Sequence, residues 1–402
     1  MRFDSGILAH VGDVSNYPYV EEWRQLPGLL ESAGYTGIWS AEHHFAWDVG
    51  VTPTPTNPLI FGAYAAALTT KLRIGQCGVN LSAHHPLRVA EDAATIDHLS
   101  HGRLDFGFMR GLNPKASSHF DPSPHVDRDH AAGSGRMMWE SWEVIKKFWS
   151  GEPFSHHGEF FQLPYPFDAS AIPVEFRDPA IYSDDATMVA LKGIPTPYQK
   201  PIPPSWTMID SVSSHQLAGR TGVGAVNWCV SFEAAREVWD AYRVSAREAA
   251  AAGTLPAGAN SRLAMMRPTF VARTDREAEE VFRPVLNAFF PKVFGAPGLA
   301  RPRMLASFEE LTPELEAMDW YDFMQSKDLI LVGSPETVTE KLKRYESELG
   351  IEHLIMYWSL PLLTFEHQTS SLKLFADRVM PHFADGDSRS VLEDVAAPSG
   401  VR

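Results

Sequence analysis

The sequence predicts an α/β fold, a (β/α)8 TIM barrel with insertions after strands 4 and 7. Three observations predict it. Strand-like and helix-like segments alternate along most of the chain, giving about eight βα units. Several strand segments are apolar throughout, as a parallel sheet covered on both faces requires. No GxGxxG stretch follows a strand, so the open dinucleotide-binding sheet is the lesser alternative.

The elements follow in order. "RFDSGILAHV" reads as the first strand. A helix comes next, with Trp23, Leu26, Leu29 and Leu30 on one face, weakened at Pro27 and closed by Gly34. "YTGIWSA" is the second strand, and "NPLIFGAYAAALT" a small-residue helix. "LRIGQCGVNL" is the third strand, and Pro86 opens the helix that Gly102 ends. "GRLDFGFMRG" is the fourth. Residues 113–128 then read as a long polar loop, followed by an amphipathic helix through Met137, Trp142 and Trp149. A hairpin is expected around Gly158, and residues 165–204, rich in proline, form an extended excursion. "PSWTMIDS", "AVNWCVSF" and "RLAMMRPTFVART" are strands five to seven. Thr274 and Glu277 have capping-box spacing. Residues 291–328 are the second insertion. Ser334 and Pro335 open the helix before the last strand, "IEHLIMYWSL". The expectation is one barrel domain over residues 1–383 and a polar tail over 384–402.

The 402 residues are 44% hydrophobic and 21% charged, a globular composition. Net charge is −15, which works against nucleic acid and anionic membrane partners. Two cysteines, Cys77 and Cys229, make no disulfide scaffold and point to a reducing compartment. The opening "MRFDSGILAHVGD" lacks a signal peptide's apolar stretch, and no run approaches the ~18–20 apolar residues of a membrane span. The expected location is cytoplasmic.

In a barrel, chemistry sits at the C-terminal ends of the strands. Here those ends carry His10; Glu42, His43 and His44; Asn80 with His84 and His85; Met109, Arg110 and Asn113; Asp210, Ser211, Ser213 and Ser214; and Tyr357 with Trp358. A metal is not expected, because adjacent His43 and His44 face opposite sides of a strand and strand one offers a single histidine. His44 and His84 read as rim residues. Arg110 and the serines opening "SSHQLAGR" suit a phosphorylated ligand, or else an ordinary helix cap with a structural ion pair. Gly75, Cys77 and Gly78 suit a close planar ligand, or else local barrel packing. Phe108, Met109, Tyr357 and Trp358, with Trp47, could line an apolar substrate pocket, or belong in part to the core.

"IWSAEHHF", "AHHPLRVAEDAATIDHLSHGRLDFGFMRG", "HHGEFFQLP", "QKPIPPSWTMIDSVSSHQLAGRTG" and "GSPETVTEKL" resemble the bacterial luciferase-like flavin monooxygenases over about residues 1 to 380. The resemblance implies a two-component enzyme. It would use reduced FMN from a separate NAD(P)H:flavin reductase, and O2, to oxygenate a small apolar substrate through a C4a-hydroperoxyflavin. It makes His43, beside Glu42, the catalytic histidine. It assigns Arg110, Ser211 and Ser214 to the FMN phosphate, with Asp210 where the family carries a glutamate. It places Cys77–Gly78 where the family has a non-proline cis peptide beside the flavin. Met109 replaces the reactive cysteine of luciferase, so light emission is not implied. A homodimer is also a family expectation. Lid candidates are residues 113–128 and 291–328. The alternatives are an F420-dependent oxidoreductase of the same superfamily and a non-catalytic flavin-binding relative.

Overall fold

A computed structural model of the protein describes residues 1–7, 19–44, 56–111, 119–120, 130–294, 300–358, 360 and 362–383. His10, Trp47, Asn113, most of the 113–128 loop and the 384–402 tail lie outside these residues.

Eight parallel strands close on themselves: β1 (Arg2–Ile7), β2 (Gly37–Ser40), β3 (Arg73–Gln76), β4 (Leu104–Met109), β5 (Ser205–Met208), β6 (Gly224–Asn227), β7 (Leu263–Val271) and β8 (His353–Tyr357). They pair in chain order, and β8 pairs with both β1 and β7. The predicted barrel is therefore the fold. Around it run helices α1 (Tyr19–Ser32), α2 (Pro58–Leu68), α3 (Pro86–Leu99), α4 (His130–Trp149), α5 (Val212–Thr221), α6 (Phe232–Ala251), α7 (Asp275–Phe294), α8 (Pro335–Leu349) and α9 (Phe365–Arg378). The expected third strand breaks after Gln76 and resumes as Val79–Asn80, which pairs with β4, and one strand not anticipated, Leu331–Gly333, pairs with the far end of β7. The hairpin around Gly158 is present, pairing His156–His157 with Gln162–Leu163.

The start signals act locally. Ser334 accepts the Thr337 N–H at 3.3 Å, and Pro335 occupies the first helical turn, where its missing N–H costs nothing. Thr274 accepts the Glu277 N–H at 3.1 Å, one half of a capping box. Gly34 and Gly102 both take positive φ where helices end.

The pleat sorts side chains into two layers. Phe106 and Phe108 point outward and stack on Trp142 of α4, with centroids 6.1 and 5.1 Å away. Trp39 and Trp206 point inward and meet edge to face at 5.8 Å. A Cβ at position 75 would lie 2.2 Å from the Trp39 ring, so Gly75 is there to admit the indole. Packing, not a ligand, accounts for that glycine.

Beneath the two indoles lies a closed charge network. Arg2 bonds Asp4 and Asp105 at 2.6 and 2.7 Å, and Arg73 bonds Asp105 at 2.7 Å. His353 and the Trp39 N–H reach Asp4 at 2.9 and 2.6 Å. Burial alone would raise both carboxyl pKa values. The facing guanidiniums reverse this and hold them well below the usual carboxylate range.

Candidate active site

Above the indoles the barrel opens into a cavity of about 1310 Å3. That exceeds the roughly 300–1,000 Å3 of a site for one small ligand. Its wall includes His43, Cys77, Met109, Arg110, Asp210, Ser211, Ser214 and Tyr357. One cavity therefore gathers eight of the residues singled out from the sequence. Glu42, Gly78, Phe108 and Trp358 do not line it.

Each absence has a physical reason. Phe108 and Trp358 were expected in the substrate pocket, but neighbours on a strand face opposite ways. With Met109 and Tyr357 turned inward, Phe108 packs against Trp139 and Trp142, and Trp358 against Tyr35 and Phe375. Gly78 sits against the β4 backbone, where a Cβ would meet Phe108 main-chain atoms at 2.7–2.9 Å. The Cys77–Gly78 peptide is trans. Cis bonds among the described residues are Leu163–Pro164, Ile194–Pro195 and Lys200–Pro201. The resemblance had placed one at Cys77–Gly78. In the trans arrangement Cys77 donates its N–H to Ser40 at 2.8 Å and keeps the β2–β3 pairing running to the rim.

Glu42 lies behind the wall, 2% exposed. Its Oε1 is 2.6 Å from His44 Nε2 and 2.7 Å from His84 Nε2, and its Oε2 accepts the Asn80 N–H at 2.9 Å. The carboxylate thus ties the end of β2 to the turn after β3. Burial would raise the Glu42 pKa, but these bonds lower it. Burial would lower His84, but Glu42 and Asp92 raise it. His44 in turn meets the ring of Phe120 at 4.8 Å. Sequence reading set His44 and His84 down as rim residues. The fold joins them to Glu42, with ligand atoms within 4.8 Å of one another, a donor set that could also hold a divalent cation.

His43 faces the cavity. Burial, together with His44, pushes its pKa down to about 4 against the pull of Glu42. It is a neutral imidazole at neutral pH. Tyr357 is fully buried, its hydroxyl has no hydrogen-bond partner, and burial raises its pKa well above the usual value. It remains a phenol. Burial likewise holds Cys77 as a thiol. Asp210 accepts the Trp228 N–H at 3.0 Å, and its desolvated position in the cleft raises its pKa.

Helix α5 begins at the wall of the same cavity as Arg110. Ser211 caps it, accepting the Ser214 N–H at 3.3 Å, and the two hydroxyls lie 2.9 Å apart. The remaining wall was not legible. Trp228, Met266, Phe289 and Leu305 supply apolar surface, and Arg303 and Glu237 supply charge. Trp228, at the end of β6, carried the same signal as the other strand ends. Phe289 was not singled out, and Arg303 and Leu305 sit in the insertion whose place the sequence could not fix. That insertion now has one: its 300–309 segment walls the cavity.

A parallel barrel whose rim presents an imidazole, a guanidinium and a serine-capped helix start to one deep cavity has the layout of an enzyme site. Residues 1–353 match the family described as luciferase-like monooxygenase, and the chain belongs to that family of oxidoreductases. A curated relative is the oxygenase component of flavin-dependent trigonelline monooxygenase from Acinetobacter baylyi, 27% identical over 400 residues and 96% of each chain. Among solved structures, the oxygenating constituent of 3,6-diketocamphane monooxygenase from Pseudomonas putida, in complex with FMN, is 21% identical. It superposes with a TM-score of 0.65 over 93% of this chain and 99% of that one. An F420-dependent secondary alcohol dehydrogenase superposes with a TM-score of 0.64 at 16% identity, covering 96% of this chain and 99% of that one. These structural likenesses speak for the fold.

Proposed function

We propose that this protein is the oxygenase component of a two-component flavin monooxygenase. It takes reduced FMN from a separate NAD(P)H:flavin reductase and uses O2 to oxygenate a small organic substrate. The observation that carries the reading is the convergence of His43, Arg110, Ser211, Ser214 and Tyr357 on one cavity too large for one small ligand. The donor set fits the cofactor. A guanidinium, two hydroxyls and the N–H groups opening a ten-residue helix are a phosphate site. Reduced FMN supplies the electrons for activating O2.

The chain's own residues do the rest. Arg110, Ser211 and Ser214 would hold the phosphate and so fix where the ring lies. His43, neutral and partly buried, can take or return a proton at its ring nitrogen. Glu42 acts as a positioning residue, holding the strand end that carries His43. Met266, Phe289 and Leu305 exclude water from the reacting centre. The exposed stripe Ile60, Tyr64 and Leu68 on α2 supports a homodimer. The free thiols of Cys77 and Cys229 support a reducing compartment, and no described helix is long and apolar enough to cross a membrane.

Anaerobic titration tests the cofactor. Reduced FMN should bind, and the Arg110→Met variant should bind it more weakly. Preference for reduced F420 would replace oxygenation with hydride transfer.

A further inference from the structure

Ser211 and Ser214 line the cavity, and the next residue of α5, His215, is fully buried. Its Nδ1 lies 2.8 Å from the Ser211 carbonyl oxygen, and its Nε2 lies 2.9 Å from Asn227 Nδ2. A carbonyl only accepts, so the ring proton sits on Nδ1 and Nε2 is the acceptor. The Asn227 amide is oriented in the same way. Its Oδ1 accepts the Trp239 indole N–H. Its Nδ2 is then the donor, to the Ile209 carbonyl at 3.1 Å and to His215. Every donor and acceptor from Trp239 to Ser211 has one assignment.

What this chain of bonds grips is the phosphate corner. Ile209, Asp210 and Ser211 follow one another on the cavity wall where the chain leaves β5. Each is tied to the end of β6. Asn227 holds the Ile209 carbonyl, the Trp228 N–H holds the Asp210 carboxylate at 3.0 Å, and His215, itself held by Asn227, holds the Ser211 carbonyl. That carbonyl already accepts the His215 main-chain N–H at 3.0 Å, the ordinary first bond of a helix. The imidazole adds a second. In a planar trans peptide the C=O and N–H point opposite ways, so fixing the Ser211 carbonyl also fixes the Val212 N–H. Val212 opens α5, and the first N–H groups of a helix have no partner within it. Those N–H groups and the two serine hydroxyls are what an anion at this helix start meets.

We infer that His215 is a positioning residue for the cofactor's phosphate: donating from Nδ1 to the Ser211 carbonyl, it sets the direction of the donors that open α5. The inference deepens the proposed function and rests on it for the identity of the cofactor. His215 touches no ligand, and its action is confined to the phosphate end. It therefore governs how well the site tells a flavin with a phosphate from one without. Two substitutions separate the halves of the imidazole. His215→Asn keeps a donor at the δ position and loses the ε acceptor. His215→Gln keeps an acceptor at the ε position and loses the δ donor.

The test is anaerobic titration of the whole chain with reduced FMN and reduced riboflavin, alongside calorimetry with inorganic phosphate. The wild type should prefer FMN to riboflavin by about tenfold or more. His215→Gln should weaken FMN and inorganic phosphate about tenfold and leave riboflavin within about twofold. His215→Asn should keep FMN affinity within about threefold of the wild type. Should His215→Gln not fold, Asn227→Ala carries the test, since it removes the support of the ring and should reduce the FMN preference while sparing riboflavin. An unchanged FMN preference, an equal loss of FMN and riboflavin, or an equal loss of FMN in His215→Gln and His215→Asn would overturn the inference. If FMN binds and its preference survives these substitutions, this inference fails and the proposed function stands. If neither flavin binds but inorganic phosphate does, and His215→Gln weakens it, the proposed function fails and the positioning role stands. If neither flavin nor phosphate binds, both fail.

Discussion

The two ends of the barrel use the same kinds of residue to opposite effect. At the base, Arg2, Asp4, Asp105 and His353 are packed out of water and, with the half-buried Arg73, pair with one another. At the mouth, His43, Asp210 and Tyr357 face a cavity. A closed charge network can only hold a structure. An open one, with pKa values displaced and a hydroxyl left over, can act on something that enters. Charge in the strands is therefore uninformative about function until it is known which groups it meets.

Substitutions can break this contrast. The largest effect is expected at the base. Asp105→Asn should destabilise the fold by about 3–5 kcal/mol in urea unfolding, because it leaves Arg73 beside a neutral group and Arg2 with Asp4 as its remaining acid partner. An unfolding free energy within 1 kcal/mol of the wild type would make the network an ornament. At the mouth, His43→Ala should lower the oxygenation rate by roughly 10²- to 10⁴-fold while leaving FMN affinity and unfolding free energy nearly unchanged. Full activity in single-turnover assays would remove His43 from the chemistry. Arg110→Met should raise the FMN dissociation constant about tenfold to a hundredfold, followed by flavin fluorescence, again without loss of stability. An equal loss of stability would place Arg110 with the base rather than the site.

The smallest effect is in pH. Folding holds His43 and His215 at about 4 and lowers His353, all below the ordinary histidine value of 6.5. Between those limits the unfolded chain binds more protons, so stability falls as pH drops. His84, raised by Glu42, works in the opposite sense, losing its contribution as pH rises through its folded value. With His85, also lowered by burial, four histidines oppose one, and the melting temperature at pH 5 should lie below that at pH 7. Activity should also keep its acid limb near pH 4 rather than 6.5, since His43 stays neutral down to there. A limb at 6.5 would mean that a histidine open to water governs the rate.

Much of this was legible in the sequence. The eight barrel strands were readable because each is a short apolar run between helix-start and helix-stop signals. The rim was readable because polar residues follow those runs. What failed was parity. Met109 and Phe108, and likewise Tyr357 and Trp358, were placed together in one pocket, although the pleat that separates His43 from His44 must separate them too. What could not be read was proximity across the chain. Nothing in "AHHPL" says that His84 meets Glu42 from 42 residues away, or that an arginine beyond residue 300 walls the same cavity as one at 110. The base network was hidden for a related reason. Arg2, Asp4, Asp105 and His353 each look like a polar position on a half-exposed strand until the ring closes over them.

The missing side chain at position 75 sets a depth. Because the Trp39 ring fills that volume, the two indoles plug the ring of strands beneath the residues that line the cavity. A methyl group added there by Gly75→Ala would have to lift the indole, and the plug would rise with it. How far down a guest can travel is thus decided by the one residue that has nothing to show on the cavity wall.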